Sequence, residues 1–172
     1  MDKTVKFIVT FFLFMLSGAS CAAEHTAPQL LQMINEKGAN AVVHTLYNDN
    51  ESEWWSHIIP EISKGNNDWL MVASALEPGV DASTAEDLQG AVSEAIPHNP
   101  AGVLAILNDK KPLLTIEQIC AFASFPESEE EMNKLFVNSI REMYKIKTAE
   151  GKRCIAVMIN TVENSVPFNK TI

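Results

Sequence analysis

Cysteine is scarce in this chain, with three residues in 172, and no two of them form a C-x-x-C pair. That excludes the usual dithiol redox motif. No histidine sits at ligand spacing beside Cys120 or Cys154, so a structural zinc site is not expected either. Basic residues are also few: 13 Lys and Arg stand against 22 Asp and Glu, for a net charge of −9. A surface of that sign repels phosphate backbones and anionic headgroups, and no basic stripe offsets it, so nucleic acid is not an expected partner. No segment alternates convincingly at period two, which argues against strands. Catalytic signatures are missing too. There is no G-x-S-x-G elbow and no D-x-[DN]-x-[DN]-G calcium loop, and no cofactor is implied.

What the chain does have begins at its N-terminus. Lys3 and Lys6 precede an apolar stretch over residues 7–16, and small residues follow over 17–23. That is the order of a secretory signal peptide, with cleavage expected after Ala22 or Ala23. About ten apolar residues are too few for a hydrocarbon core of ~30 Å, so no stable membrane insertion is expected after cleavage. Cys21 would suit a lipoprotein, but Gly18 occupies the place where a lipobox wants a Leu-like residue. Removing Asp2, Lys3 and Lys6 leaves 11 basic against 21 acidic residues, or −10. Export changes the reading of Cys120 and Cys154. In an oxidising compartment two remaining thiols are expected to pair; two inert buried thiols are the alternative.

Helix punctuation is dense. Thr26, Pro28 and Gly38 bracket Leu30, Leu31, Met33 and Ile34 as cap, early proline and terminal glycine. Residues 39–47 carry Val42, Val43 and Leu46 on one side. Ser52 opens a third helix with Trp54, Trp55, Ile58, Ile59 and Ile62, which Pro60 should kink or split. Asn67 begins a fourth, stopped by Pro78 and Gly79. Ser83-x-x-Glu86, Thr115-x-x-Gln118 and Ser128-x-x-Glu131 read as capping boxes, Asn99 before Pro100 as a cap, and Thr148 as the start of the last helix. The fold expected is all-α, with about nine short helices in stacked hairpins. Residues 41–49 and 101–109 match at four of nine positions. That echo leans towards an α–α superhelix, although helix-end chemistry alone could produce it. The domain expected spans residues 24–164, after a signal over 1–23 and before a loose tail over 165–172.

Candidate chemistry is thin. His25 falls in a stretch expected to be loose, His98 in a turn facing solvent, and His44 and His57 in neighbouring helices where they could meet. Glu127, Glu129, Glu130 and Glu131 crowd a helix start, where negative charge complements the helix dipole; Asp81, Glu86 and Asp87 read the same way. Trp54 and Trp55 adjoin on one helix, about 100° apart, so both are buried only if that helix is nearly engulfed. One reading puts them in the core. The other places them, with His57, on a groove that contacts a partner, since tryptophan is enriched in binding hot spots.

Three stretches, WWSHIIPEISKG over 54–65, DWLMVASALEPGVDASTAEDL over 68–88 and NPAGVL over 99–104, resemble a group of small secreted bacterial all-helical proteins. TIEQIC over 115–120 is similar to the part of that group that supplies a cysteine. The resemblance covers about a third of the mature chain. It implies a secreted helical domain, and because the group has no assigned activity it implies no reaction and no site residues. The function expected is that of an exported, non-enzymatic domain that binds another protein in the periplasm through Trp54, Trp55 and His57, with the loop over 77–81 as a second surface. An immunity or inhibitor protein against a secreted effector is a narrower form of it. The rival is a hydrolase whose catalytic groups converge only in the fold.

Overall fold

A computed structural model of the chain describes residues 24–49, 53–121 and 128–164. The expected signal segment, Ser52, Glu127 and the C-terminal tail lie outside the described residues. Within them the chain is all-helical, with no strand. Helix α1 spans Ala27–Lys37, α2 Ala39–His44, α3 Ile59–Ser63, α4 Asn67–Leu76 and α5 Ala82–Glu94. Helix α6 spans Pro100–Ile106, α7 Ile116–Cys120, α8 Glu129–Met143 and α9 Ala149–Asn164. Wider π-turns extend α2 over Thr45–Asp49 and precede α3 over Trp54–Ile58, and a 3-10 turn, Glu77–Gly79, follows α4.

The caps are mostly those the sequence announces. Thr26 and Gln29 form a reciprocal box at α1. Gly38, at φ 83°, donates its N–H to Ile34 O at 2.8 Å and turns the chain straight into α2; the left-handed value suits glycine there. Asn99 Oδ1 accepts from Gly102 N at 2.9 Å, and its Nδ2 donates to Gly65 O at 2.8 Å and Asn67 Oδ1 at 2.7 Å. One side chain therefore caps α6 and ties it to the start of α4. Thr115 and Ser128 cap α7 and α8 through Gln118 N and Glu131 N. At α5 the expectation is corrected: the box is Asp81 with Thr84, and Ser83 is exposed. The 3-10 turn ends at Gly79 and Val80 is extended, so helix geometry begins two residues earlier than the Ser83 pattern implies.

Helices pack as neighbouring hairpins, α1 on α2 and α4, α3 on α5, α5 on α7, and α7 on α9, which agrees with stacked hairpins. One continuous core runs through Leu30, Val42, Leu46, Trp54, Ile58, Ile62, Leu70, Leu76, Leu88, Ile96, Leu114 and Ile119. Cys120 and Cys154 lie at disulfide distance, with their Cα atoms 5.3 Å apart, joining α7 to α9. No helix among the described residues is long and apolar enough to cross a membrane.

Candidate functional site

Pro60 shapes the segment that carries Trp54, Trp55 and His57. It has no N–H to donate to the carbonyl four residues back, and its ring would meet that carbonyl in a regular α-turn. The chain widens here, and Ile59 N–H reaches back five residues to Trp54 O. Trp54, Ile58 and Ile62 then share the inner face and are fully buried. Trp55 falls on the flank, 51% exposed, with its ring 6.5 Å from that of Tyr47. Tyr47 also stands edge-on to Trp54 at 6.4 Å.

The three side chains do not line one groove. Trp54 belongs to the core, and its indole Nε1–H donates to Asp87 Oδ2 on α5 at 3.1 Å. Burial pushes the Asp87 carboxyl above its usual range, with the Trp54 hydrogen bond acting the other way and the charge on Glu86 adding to the rise. Asp87 is thus more than a helix-start charge; it satisfies a buried indole. Trp55 sits on the surface with Tyr47. His57 points to the opposite flank, into a cleft of about 480 Å³ that opens between the starts of α1 and α4, and Trp55 does not line it.

His57 and the N-terminal residues form that cleft. The His57 ring stands edge-on to Trp69 at 5.2 Å. Its Nε2 donates to the His25 carbonyl at 2.9 Å, and its Nδ1 faces the Glu24 carboxylate at 3.2 Å. His25 in turn donates its backbone N–H and its Nδ1 to the same Glu53 oxygen, each at 2.7 Å. Glu53 is 4% exposed. The expectation that His25 lies in a loose segment is therefore corrected. A buried carboxylate attracts the nearest donors, and His25 supplies two of them. His44, exposed on α2, is not among the residues lining this cleft, and His98 faces solvent as expected. Glu61, Asn66 and Asp68 complete the rim, with Lys64 paired to Glu61.

The loop over 77–81 is occupied by structural work. Glu77 is almost wholly buried. It pairs with Lys111 Nζ at 2.6 Å and accepts from Leu113 N at 3.1 Å and Leu114 N at 3.0 Å. Gly79 lies against the backbone of α2, where an added Cβ would come 2.3 Å from the Ala39 carbonyl carbon. Asp81 caps α5, and its hydrogen bonds to Thr84 hold its carboxyl below the usual range.

Among the described residues no group of three or more His, Cys, Asp or Glu side chains converges as metal ligands. Sequence reasoning picked out His57 but missed Glu24, His25 and Glu53. They lie 28 to 33 positions from their partners, a separation that no local pattern encodes. What the cleft offers chemically is an acidic rim, one aromatic wall and two histidines already engaged by carboxylates. No family model, curated protein or solved structure matches this chain.

Proposed function

We propose that the chain is an exported, non-enzymatic helical domain that binds another protein in the periplasm. The observation that carries this reading is the π-turn that buries Trp54 while holding Trp55 on the surface against Tyr47. Such turns recur at functional sites, and a paired Trp and Tyr on a rigid helical base is the composition of a binding hot spot. The signal-like N-terminus and the Cys120–Cys154 pair support the compartment.

The test is capture from a periplasmic extract with the mature, oxidised protein as bait. Trp55→Ala is expected to lose a stoichiometric partner that the unmodified protein retains. Equal recovery by Trp55→Ala moves the site away from this turn. Trp54→Ala is unsuitable as a control because it opens the core. Cell fractionation checks the compartment: full-length chain retained in the cytosol would overturn export.

An immunity or inhibitor role is the narrower form, supported by the acidic rim of Glu24, Glu61 and Asp68 and a chain charge of −9. Those charges favour a basic effector surface. Added salt should then slow association with the product of an adjacent toxin gene, and the absence of any inhibition of that product counts against it.

A further inference from the structure

Residues 24–26 are the first of the described residues, and Glu24 and His25 are held by side chains far along the chain. The geometry points to a protonation-controlled strap, in which His57 and His25 clasp this segment over the cleft in their charged forms and loosen it when neutral. A neutral imidazole has one N–H, whereas the imidazolium has two. Both ring nitrogens of His57 face acceptors, the His25 carbonyl at 2.9 Å and the Glu24 carboxylate at 3.2 Å. Nε2 must carry a hydrogen to bond a carbonyl, so only the doubly protonated ring makes both contacts. When His57 is neutral, a lone pair on Nδ1 meets a carboxylate, and the contact becomes repulsive.

His25 adds to this. Its Nδ1 and its backbone N–H converge on one oxygen of Glu53, a carboxylate that is 4% exposed. A charged His25 makes this contact an ion pair in a poorly solvated place, and a neutral one leaves a weaker hydrogen bond. Among the described residues the other charged groups lining the cleft are Glu61, which pairs with Lys64, and Asp68 at the start of α4. Both carboxylates lie on the rim of the same cleft, and Trp69 stands edge-on to the His57 ring on its remaining side. Glu24, His25 and Thr26 themselves form one wall of the cleft. Loosening the strap therefore opens that wall of the cleft and breaks the His25 contacts to Glu53. This inference concerns the chain's own N-terminal segment and stands whether or not the protein-binding reading does.

The test uses the mature protein and amide hydrogen exchange at His25, whose N–H is bonded to Glu53. Protection factors, corrected for intrinsic exchange, are compared at about pH 5.5 and about pH 7.5, either side of the ordinary histidine range. Protection is expected to fall about fivefold or more on going to the higher pH. His57→Gln and His25→Gln each reduce that ratio, and the double variant brings it close to one. Glu24→Gln, a change at an exposed side chain that spares the fold, also reduces it. Protection at the buried Leu70 amide monitors the rest of the molecule and should not move. Equal protection of His25 at both pH values overturns the strap, as does a double variant or Glu24→Gln that keeps the full ratio.

Discussion

Helices α1 to α5 and the α8–α9 hairpin differ in how much they bury. The first group sends Leu30, Val42, Leu46, Ile62, Leu70, Leu76 and Leu88 into one shared core, together with the whole of Trp54. The two longest helices, of 15 and 16 residues, bury only Met143, Cys154 and Met158 among their large apolar side chains. Four of the six large apolar side chains left exposed among the described residues, Val137, Tyr144, Ile159 and Val162, lie on or beside those two helices. What α9 gains instead is a sulfur link to α7 and an arginine, Arg153, that reaches Glu117 and, at 2.5 Å, Asp109. The ion pairs are solvent-exposed and worth little each, and Phe136, Ile140, Ile155 and Val157 pack against the core only partly buried, so the cysteine pair is a substantial part of the attachment. The cysteine pair at disulfide distance thus sits where buried apolar side chains are fewest.

The largest effect should come from the densely packed side. Glu77→Ala removes the carboxylate partner of Lys111, leaving it with Ser74 O and Oγ, and orphans two backbone N–H groups, those of Leu113 and Leu114. Breaking one side of a buried pair costs about 3–5 kcal/mol, and here the loss should appear as a fall in the whole unfolding transition by urea denaturation. A loss below ~1 kcal/mol would mean that water replaces the carboxylate cheaply. Next comes the thin side. Cys120→Ser with Cys154→Ser opens a link between residues 34 positions apart, worth roughly 3–4 kcal/mol by chain entropy. The loss should be regional: exchange protection should fall first in α8 and α9 while α4 keeps its own. Uniform loss across α1 to α9 would erase the contrast between the two regions.

How much of this was legible in the residues divides along the same physical line. Helix ends are local chemistry, so Thr26, Gly38, Asn99, Thr115, Ser128 and Thr148 announced themselves within four residues of what they cap. Ser83 misled because two overlapping boxes, Asp81-x-x-Thr84 and Ser83-x-x-Glu86, differ only in where the preceding turn releases the chain. Pro60 signalled a break, yet the widened turn that sends Trp54 inward and Trp55 outward depends on packing against α5. The cleft was largely invisible. His57 was singled out for its neighbours in sequence, whereas its real partners are Glu24, His25 and Trp69. Glu77 looked like part of a recognition loop because nothing local foretells its pairing with the distant Lys111.

A smaller effect tests the hairpin from within. Ser139 is fully buried on α8, and its hydroxyl has no hydrogen-bond partner among the described residues. An unsatisfied buried hydroxyl is a net cost, so Ser139→Ala should raise stability by about 1 kcal/mol and lift Tm. A fall in Tm would show that the hydroxyl makes a useful contact and that the seam is better matched than its sparse burial suggests.

The smallest effect expected sharpens the packed side. Asp87 accepts the Trp54 indole N–H, but burial raises its carboxyl above the reference value of 3.8. A carboxyl whose folded value is raised binds its proton more tightly in the native state. Its contribution is thus most favourable in acid and is lost as pH climbs from 3.8 through the raised value. Asp87→Asn keeps an oxygen for the indole and removes the charge that burial disfavours. The variant and the parent should therefore diverge through that window, with the variant the more stable above it and the difference level towards neutral pH. Melting curves taken at intervals from acid to neutral pH measure this directly. If the parent is instead the more stable at neutral pH, the charged hydrogen bond to Trp54 outweighs desolvation, and the core around that tryptophan is held by charge rather than merely tolerating it.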